Sequence, residues 1–155
     1  MKIPETQDAG DPRLRYLGEI LEVVTNLRDC VERATGEGGV PVVLGGDHSV
    51  AMGSIAGLAR PHHSRKEKIG LVWFDAHADA NTAETSPSGN IHGMPLAVAL
   101  GYGTPSLVNL GGFSPLVDGA RAALIGVRDV DGAERDNVKA SGIGAFTMRD
   151  IDERG

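Results

Sequence analysis

Three short apolar runs, Val40 to Leu44, Ile69 to Phe74 and Ala122 to Val127, each stop abruptly at glycine or charge: Gly45-Gly46-Asp47-His48, Asp75 and Arg128-Asp129. Runs of this length, free of polar residues and rich in branched side chains, have the character of parallel strands buried on both faces. A weaker fourth candidate spans Ala145 to Met148. Helical periodicity fills the intervals. Leu14, Leu17, Ile20, Leu21, Val24, Leu27, Val31 and Ala34 recur at steps of three and four and form one apolar face, which ends at Gly36 and the Gly38-Gly39 pair. Asp11-Pro12 reads as an N-cap followed by proline in the first turn, so the spacing predicts that this helix begins there. Ser49 to Arg60 and the polar-faced Ala133 to Ala140 supply two more helices, and Asp150-Ile151-Asp152 falls in a charged, helix-like tail. Strands alternating with helices imply βαβ units and an α/β fold with a parallel sheet. No repeat of solenoid period interrupts that pattern.

Composition narrows the partners. The 155 residues suit one domain, and 15 Lys plus Arg against 21 Asp plus Glu leave a net charge of -6. Basic residues never cluster, which argues against a nucleic-acid or anionic-membrane surface, since both require a concentrated positive field. The longest apolar run is far shorter than the ~20 residues of a membrane helix, and Met1-Lys2 leads into nothing that resembles a signal peptide. A cytoplasmic chain acting on a small molecule is expected. The single cysteine, Cys30, lies among apolar helical positions and is expected to be a small buried hydrophobe.

In open parallel sheets ligands bind beyond the carboxyl ends of the strands, and that is where polar residues gather here. The densest feature is Asp75-Ala76-His77-Ala78-Asp79, with Asn81 following. If the segment stays extended, Asp75, His77 and Asp79 share one face and converge, with His48 beside them from the preceding strand. Carboxylates and imidazoles without thiolates favour a hard or borderline divalent ion, manganese first and zinc or iron second. A second cluster, Ser86-Pro87-Ser88-Gly89-Asn90-Ile91-His92-Gly93, combines small donors and acceptors with one imidazole suited to moving protons near neutrality. Asp131 and Glu134 read either as a helix N-cap with a first-turn acid or as further binding residues. Asp118, Asp136, His62 and His63 read as caps or solvated groups. Gly45-Gly46 belongs to neither phosphate-binding glycine pattern, and Asp47 beside it would repel an anion, so no nucleotide is implied.

Taken together, GGDHS at 45–49, FDAHADANTAETSPSGNIHGMPLA at 74–97 and IGVRDVDGAE at 125–134 resemble the ureohydrolase family, and within it the bacterial arginases, in the family's own order. The resemblance implies a three-layer α/β/α fold and two manganese ions that activate water for hydrolysis of a guanidino group. It implies His48, Asp75 and Asp79 as ligands of one ion and His77 with the shared Asp75 as ligands of the other. His92 matches the proton-shuttling position. Asn81, Ser86, Ser88 and Asn90 match positions that hold a substrate α-carboxylate, and Asp131 and Glu134 match positions near its α-amino group. L-Arginine is therefore the implied substrate, with L-ornithine and urea as products.

The family pattern continues into an SxDxDxxDP block that is absent from these residues, so residues 1–155 resemble a single partial domain, an internal fragment of roughly half a member. Fewer carboxylates then offset two dications, and affinity for the second ion is expected to fall most. An intact chain is expected to form homo-oligomers. Agmatine or guanidinobutyrate hydrolysis, or a catalytically inactive subunit that binds a complete homologue, are the competing functions.

Overall fold

The computed structural model describes residues 8–155. At the entry to the first helix, Asp11 closes a turn instead of capping. Its Oδ1 accepts from the Arg13 N–H at 2.8 Å and its carbonyl from the Leu14 N–H at 3.0 Å. The chain then enters helix α1, Leu17–Gly36, through Tyr16 in the left-handed region at φ 58°, five residues later than Pro12 suggests. Helix α1 buries a stripe through Val24 and Val31 against helix α2, Val50–Ser64. Close approach is made possible by Gly53 and Gly57, one turn apart on α2: a Cβ there would lie 2.5 Å from the Val24 carbonyl oxygen and 2.4 Å from that of Arg28. Cys30 is exposed rather than buried. It precedes Val31 by one residue, about 100° around the helix, which turns it off the buried stripe.

Three parallel strands follow, β1 (Leu71–Phe74), β2 (Ala122–Val127) and β3 (Gly144–Thr147), paired in the order β1-β2-β3. This is the expected α/β architecture with a parallel sheet. Two details differ. The 40–44 run joins no ladder among the described residues, and Val40, Val42 and Leu44 are 90%, 83% and 93% exposed. Apolar content favours a strand, but a strand exists only through a hydrogen-bonded neighbour, and none pairs with this segment. In β1 burial alternates instead of covering both faces: Trp73 is 4% exposed and Phe74 is 74% exposed. On the buried side of the sheet, Trp73 and Leu124 join Met52, Ile55, Leu96, Val98 and Leu107 in the core. β3 lies one residue earlier than expected, and its four residues are exposed.

Between β1 and β2 the chain forms two short helices, α3 (Pro95–Ala99) and α4 (Pro105–Val108). Helix α5, Gly132–Ser141, crosses from β2 to β3, and helix α6, Met148–Arg154, takes up the charged tail. Beyond its regular end the sheet continues as a single bridge between His77 and Asp129, which carries the chain past β1 and β2 side by side into the polar region. No helix among the described residues is long and apolar enough to cross a membrane.

Trp73 is the largest core side chain at the sheet, and its buried indole N–H has no hydrogen-bond partner among the described residues. Truncation and removal of that donor should therefore separate. Trp73→Ala is expected to cost ~3–5 kcal/mol, whereas Trp73→Phe, which keeps most of the ring and deletes the unsatisfied N–H, is expected to cost about 1.5 kcal/mol or less. Urea unfolding of both variants checks this, and equal losses would contradict it.

Candidate metal centre and adjoining cleft

His48 reaches the end of β1 from the turn that leads into α2. Asp47 shapes this turn by accepting the Ser49 N–H at 2.9 Å. The imidazole stacks on Trp73, with ring centroids 4.3 Å apart, and its Nδ1 lies 3.0 Å from Asp75 Oδ2 and 2.6 Å from Asp79 Oδ2. One ligand atom from each of the three residues falls within 4.8 Å of the others. Asp75 follows β1 directly, and its second oxygen accepts the His77 N–H at 2.9 Å. Asp79 turns back toward them because its backbone is left-handed, at φ 50°. Its carbonyl anchors that turn by accepting the Leu96 and Ala97 N–H groups at the start of α3.

The bend at Asp79 overturns the expectation of an extended Asp75-His77-Asp79 face. Asp75 and Asp79 meet His48, while His77 stays outside this trio. Its side chain is mostly exposed, with Nδ1 3.6 Å from Asp75 Oδ1 and Nε2 3.8 Å from Asp129 Oδ2. Burial pushes the Asp79 carboxyl above its ordinary range; His48 opposes this and Asp75 reinforces it. Two carboxylates and an imidazole at this spacing, without thiolates, suit a divalent cation of hard or borderline character.

Beside the trio opens a cleft of about 250 Å3. Of the residues singled out in the sequence, His77, Asp79, Asn81, Ser86, Ser88, Asn90, His92, Asp131 and Glu134 all line it. The Ser86 and Ser88 hydroxyls accept the N–H groups of Gly89 and Asn90 at 3.0 and 3.2 Å, curling the loop. Gly89, at φ 69°, lets it pack on the amino-terminal segment, where a Cβ would fall 1.8 Å from the Pro12 carbonyl oxygen. His92 stands exposed in a short 3-10 turn, Ile91–Gly93.

On the other wall, both readings of Asp131 and Glu134 meet. They form a capping box at the start of α5. Glu134 is 4% exposed, and its Oε1 also accepts the Ala80 N–H at 2.8 Å while Oε2 accepts that of Asp131 at 3.1 Å. The Asn81 side-chain amide donates to Asp131 Oδ2 at 3.0 Å. Burial raises the Glu134 carboxyl above its ordinary range, and the two N–H donors only partly counter it.

Sequence reasoning did not single out Asp129, which lines the cleft and faces His77. Its spacing of two from Asp131 at a strand end was the available signal. A larger cavity, about 450 Å3, lies at the opposite edge of the sheet. There His62 pairs with Glu67 at 2.8 Å, and His63, read from the sequence as a cap or solvated group, instead stacks on Phe113 with ring centroids 3.7 Å apart.

Fold and site define an α/β protein with a carboxylate and imidazole trio, fitted to a divalent cation, at the carboxyl edge of a parallel sheet. The Arginase family model matches residues 3–155, and the chain belongs to that family. It is 46% identical over 154 residues to an arginase of Bacillus caldovelox, covering 99% of this chain and 50% of the relative. Against an arginase of Bacillus subtilis it is 46% identical over 146 residues, covering 94% and 48%. The native Bacillus caldovelox arginase structure superposes with a TM-score of 0.90 at 45% identity over 100% of this chain and 50% of that one. The Entamoeba histolytica arginase in complex with L-ornithine gives 0.89 at 36% identity, over 99% and 52%. The chain thus spans about half the length of these relatives.

The raised Glu134 carboxyl fixes the sign of a pH effect. A carboxyl that holds its proton more tightly when folded favours folding most below the ordinary glutamate range, and that contribution is lost as pH rises through the raised folded value. Relative to Glu134→Gln, the unaltered chain should lose stability across that interval; a difference independent of pH would contradict the assignment. Glu134→Ala, which leaves the buried Ala80 N–H unpaired, should cost ~1–3 kcal/mol in urea unfolding.

Proposed function

We propose that this chain carries half of an arginase-type active site, whose reaction is hydrolysis of L-arginine to L-ornithine and urea. The observation that carries this reading is the His48, Asp75 and Asp79 trio beside a polar cleft. Similarity to arginases supports it, as does an arginase relative that binds L-ornithine. Manganese is the proposed ion: His48, Asp75 and Asp79 would hold one, and His77 with the shared Asp75 would help to hold a second. The metal's chemistry is Lewis acidity, which makes hydroxide available near neutral pH.

The chain's own residues do the rest. A guanidinium is resonance-stabilised and a poor electrophile, so the substrate must be held with its central carbon toward the trio. Asn81, Ser86, Ser88 and Asn90 would bind the α-carboxylate by hydrogen bonds along one wall. Asp131, with Glu134 behind it, would receive the α-amino group on the other. His92, exposed in the cleft, would deliver a proton to the departing amine, because ornithine cannot leave as an amide anion. A carboxylate subsite favours arginine over agmatine, which lacks that group. Residues 1–155 are read as a single partial domain, acting in the cytoplasm and, within an intact chain, in a homo-oligomer.

Urea release by the purified, manganese-loaded chain should be faster from arginine than from agmatine. His92→Asn should lower the rate roughly 10²- to 10⁴-fold with little change in manganese binding. Faster turnover of agmatine would move the assignment to an agmatinase, and absence of urea even from a longer chain that includes the SxDxDxxDP block would support the non-catalytic reading.

A further inference from the structure

Asn137 sits three residues after Glu134, so the two share the face of α5 turned toward the segment after Asp79. Glu134 takes the Ala80 N–H at 2.8 Å, and the Asn137 side-chain amide donates to the Ala80 carbonyl at 2.9 Å. Both polar backbone groups of the residue that follows Asp79 are therefore held by one helix. The same Asn137 nitrogen lies 3.3 Å from Thr85 Oγ1. That hydroxyl also accepts the Thr82 N–H at 2.8 Å and donates to Asn81 Oδ1 at 2.9 Å. A hydroxyl has one proton and two lone pairs. With both lone pairs taken, its proton is directed to Asn81, which turns the Asn81 amide nitrogen to Asp131 at 3.0 Å. The opposite orientation of the Asn137 amide would set its oxygen against the Ala80 carbonyl oxygen. Asn137 itself does not line the cleft.

We propose that Asn137 is a positioning residue: through Ala80 it holds the left-handed turn that brings the Asp79 carboxylate to His48, and through Thr85 it sets which end of the Asn81 amide faces the cleft. It touches neither cleft nor trio, and its effect passes through the segment 79–85. The consequence for metal affinity rests on the divalent-cation reading of the trio.

Two measurements on the full chain test this. Asn137→Leu removes the donor at similar size, and Val138→Ala on the same helix removes packing but no hydrogen bond to the segment. Amide hydrogen exchange is read at Ala80 and Thr82 against Leu124 in β2. In Asn137→Leu, exchange at the first two should accelerate about tenfold relative to Leu124, in line with loss of about 1.4 kcal/mol of local protection. Val138→Ala should leave that ratio unchanged. In the same samples, manganese affinity should fall roughly 10- to 100-fold in Asn137→Leu, as for other residues that orient metal ligands, and not in Val138→Ala. Exchange at Ala80 and Thr82 that rises only in step with Leu124 would overturn the proposal. If the unaltered chain binds no manganese, the metal reading fails while the exchange ratio still decides the role of Asn137. Should Asn137→Leu not fold, slow exchange of an Asn137 side-chain amide proton in the unaltered chain supports the contact, and free exchange there refutes it.

Discussion

Two carboxylates and one imidazole are held together at the end of a parallel sheet, and much of the surrounding structure serves to keep them there. Asp75 and Asp79 both approach His48 Nδ1 within 3.0 Å. Like charges ~4 Å apart repel by about 4 kcal/mol at an effective dielectric of 20, so the arrangement needs either a proton, a cation or a rigid scaffold. Burial is the first cause of the raised Asp79 carboxyl, and this repulsion from Asp75 adds to it. A divalent ion would relieve it directly by supplying positive charge between the two oxygens.

The scaffold is built from three sources. β1 delivers Asp75 beside Trp73, on which His48 stacks. The start of α3 secures the Asp79 carbonyl, and with it a backbone conformation that a non-glycine residue adopts only at some expense. Helix α5 fixes the peptide immediately afterwards through Glu134 and Asn137. The cleft wall and the metal trio are thus joined by hydrogen bonds, so a disturbance of α5 should be felt at both.

Much of this was legible in the residues themselves. Apolar runs ending in charge located the carboxyl edge of the sheet, and every polar residue then singled out for the cleft lines it. Periodicity identified α1 but not its start, because the Asp11 side chain satisfies a turn as readily as a helix end. It misjudged Cys30, since a displacement of one residue carries a side chain off the buried stripe. The 40–44 run shows the limit of hydrophobic content as a strand signal: pairing decides, and this segment has no partner among the described residues. The convergence of Asp75 and Asp79 without His77 depends on one positive φ at Asp79, which alternation along a strand cannot foresee. Asn137 was invisible for a similar reason. An asparagine in a polar helix acquires a role only when the loop opposite it is known.

The claim on which the account rests is that His48, Asp75 and Asp79 form one cation site. Crystals soaked in manganese and measured at its absorption edge test it most directly. The account predicts an anomalous peak bounded by His48 Nδ1 and by one oxygen from each of the two aspartates. Data in which His48 swings away from both carboxylates, or in which no peak lies between them, would contradict it.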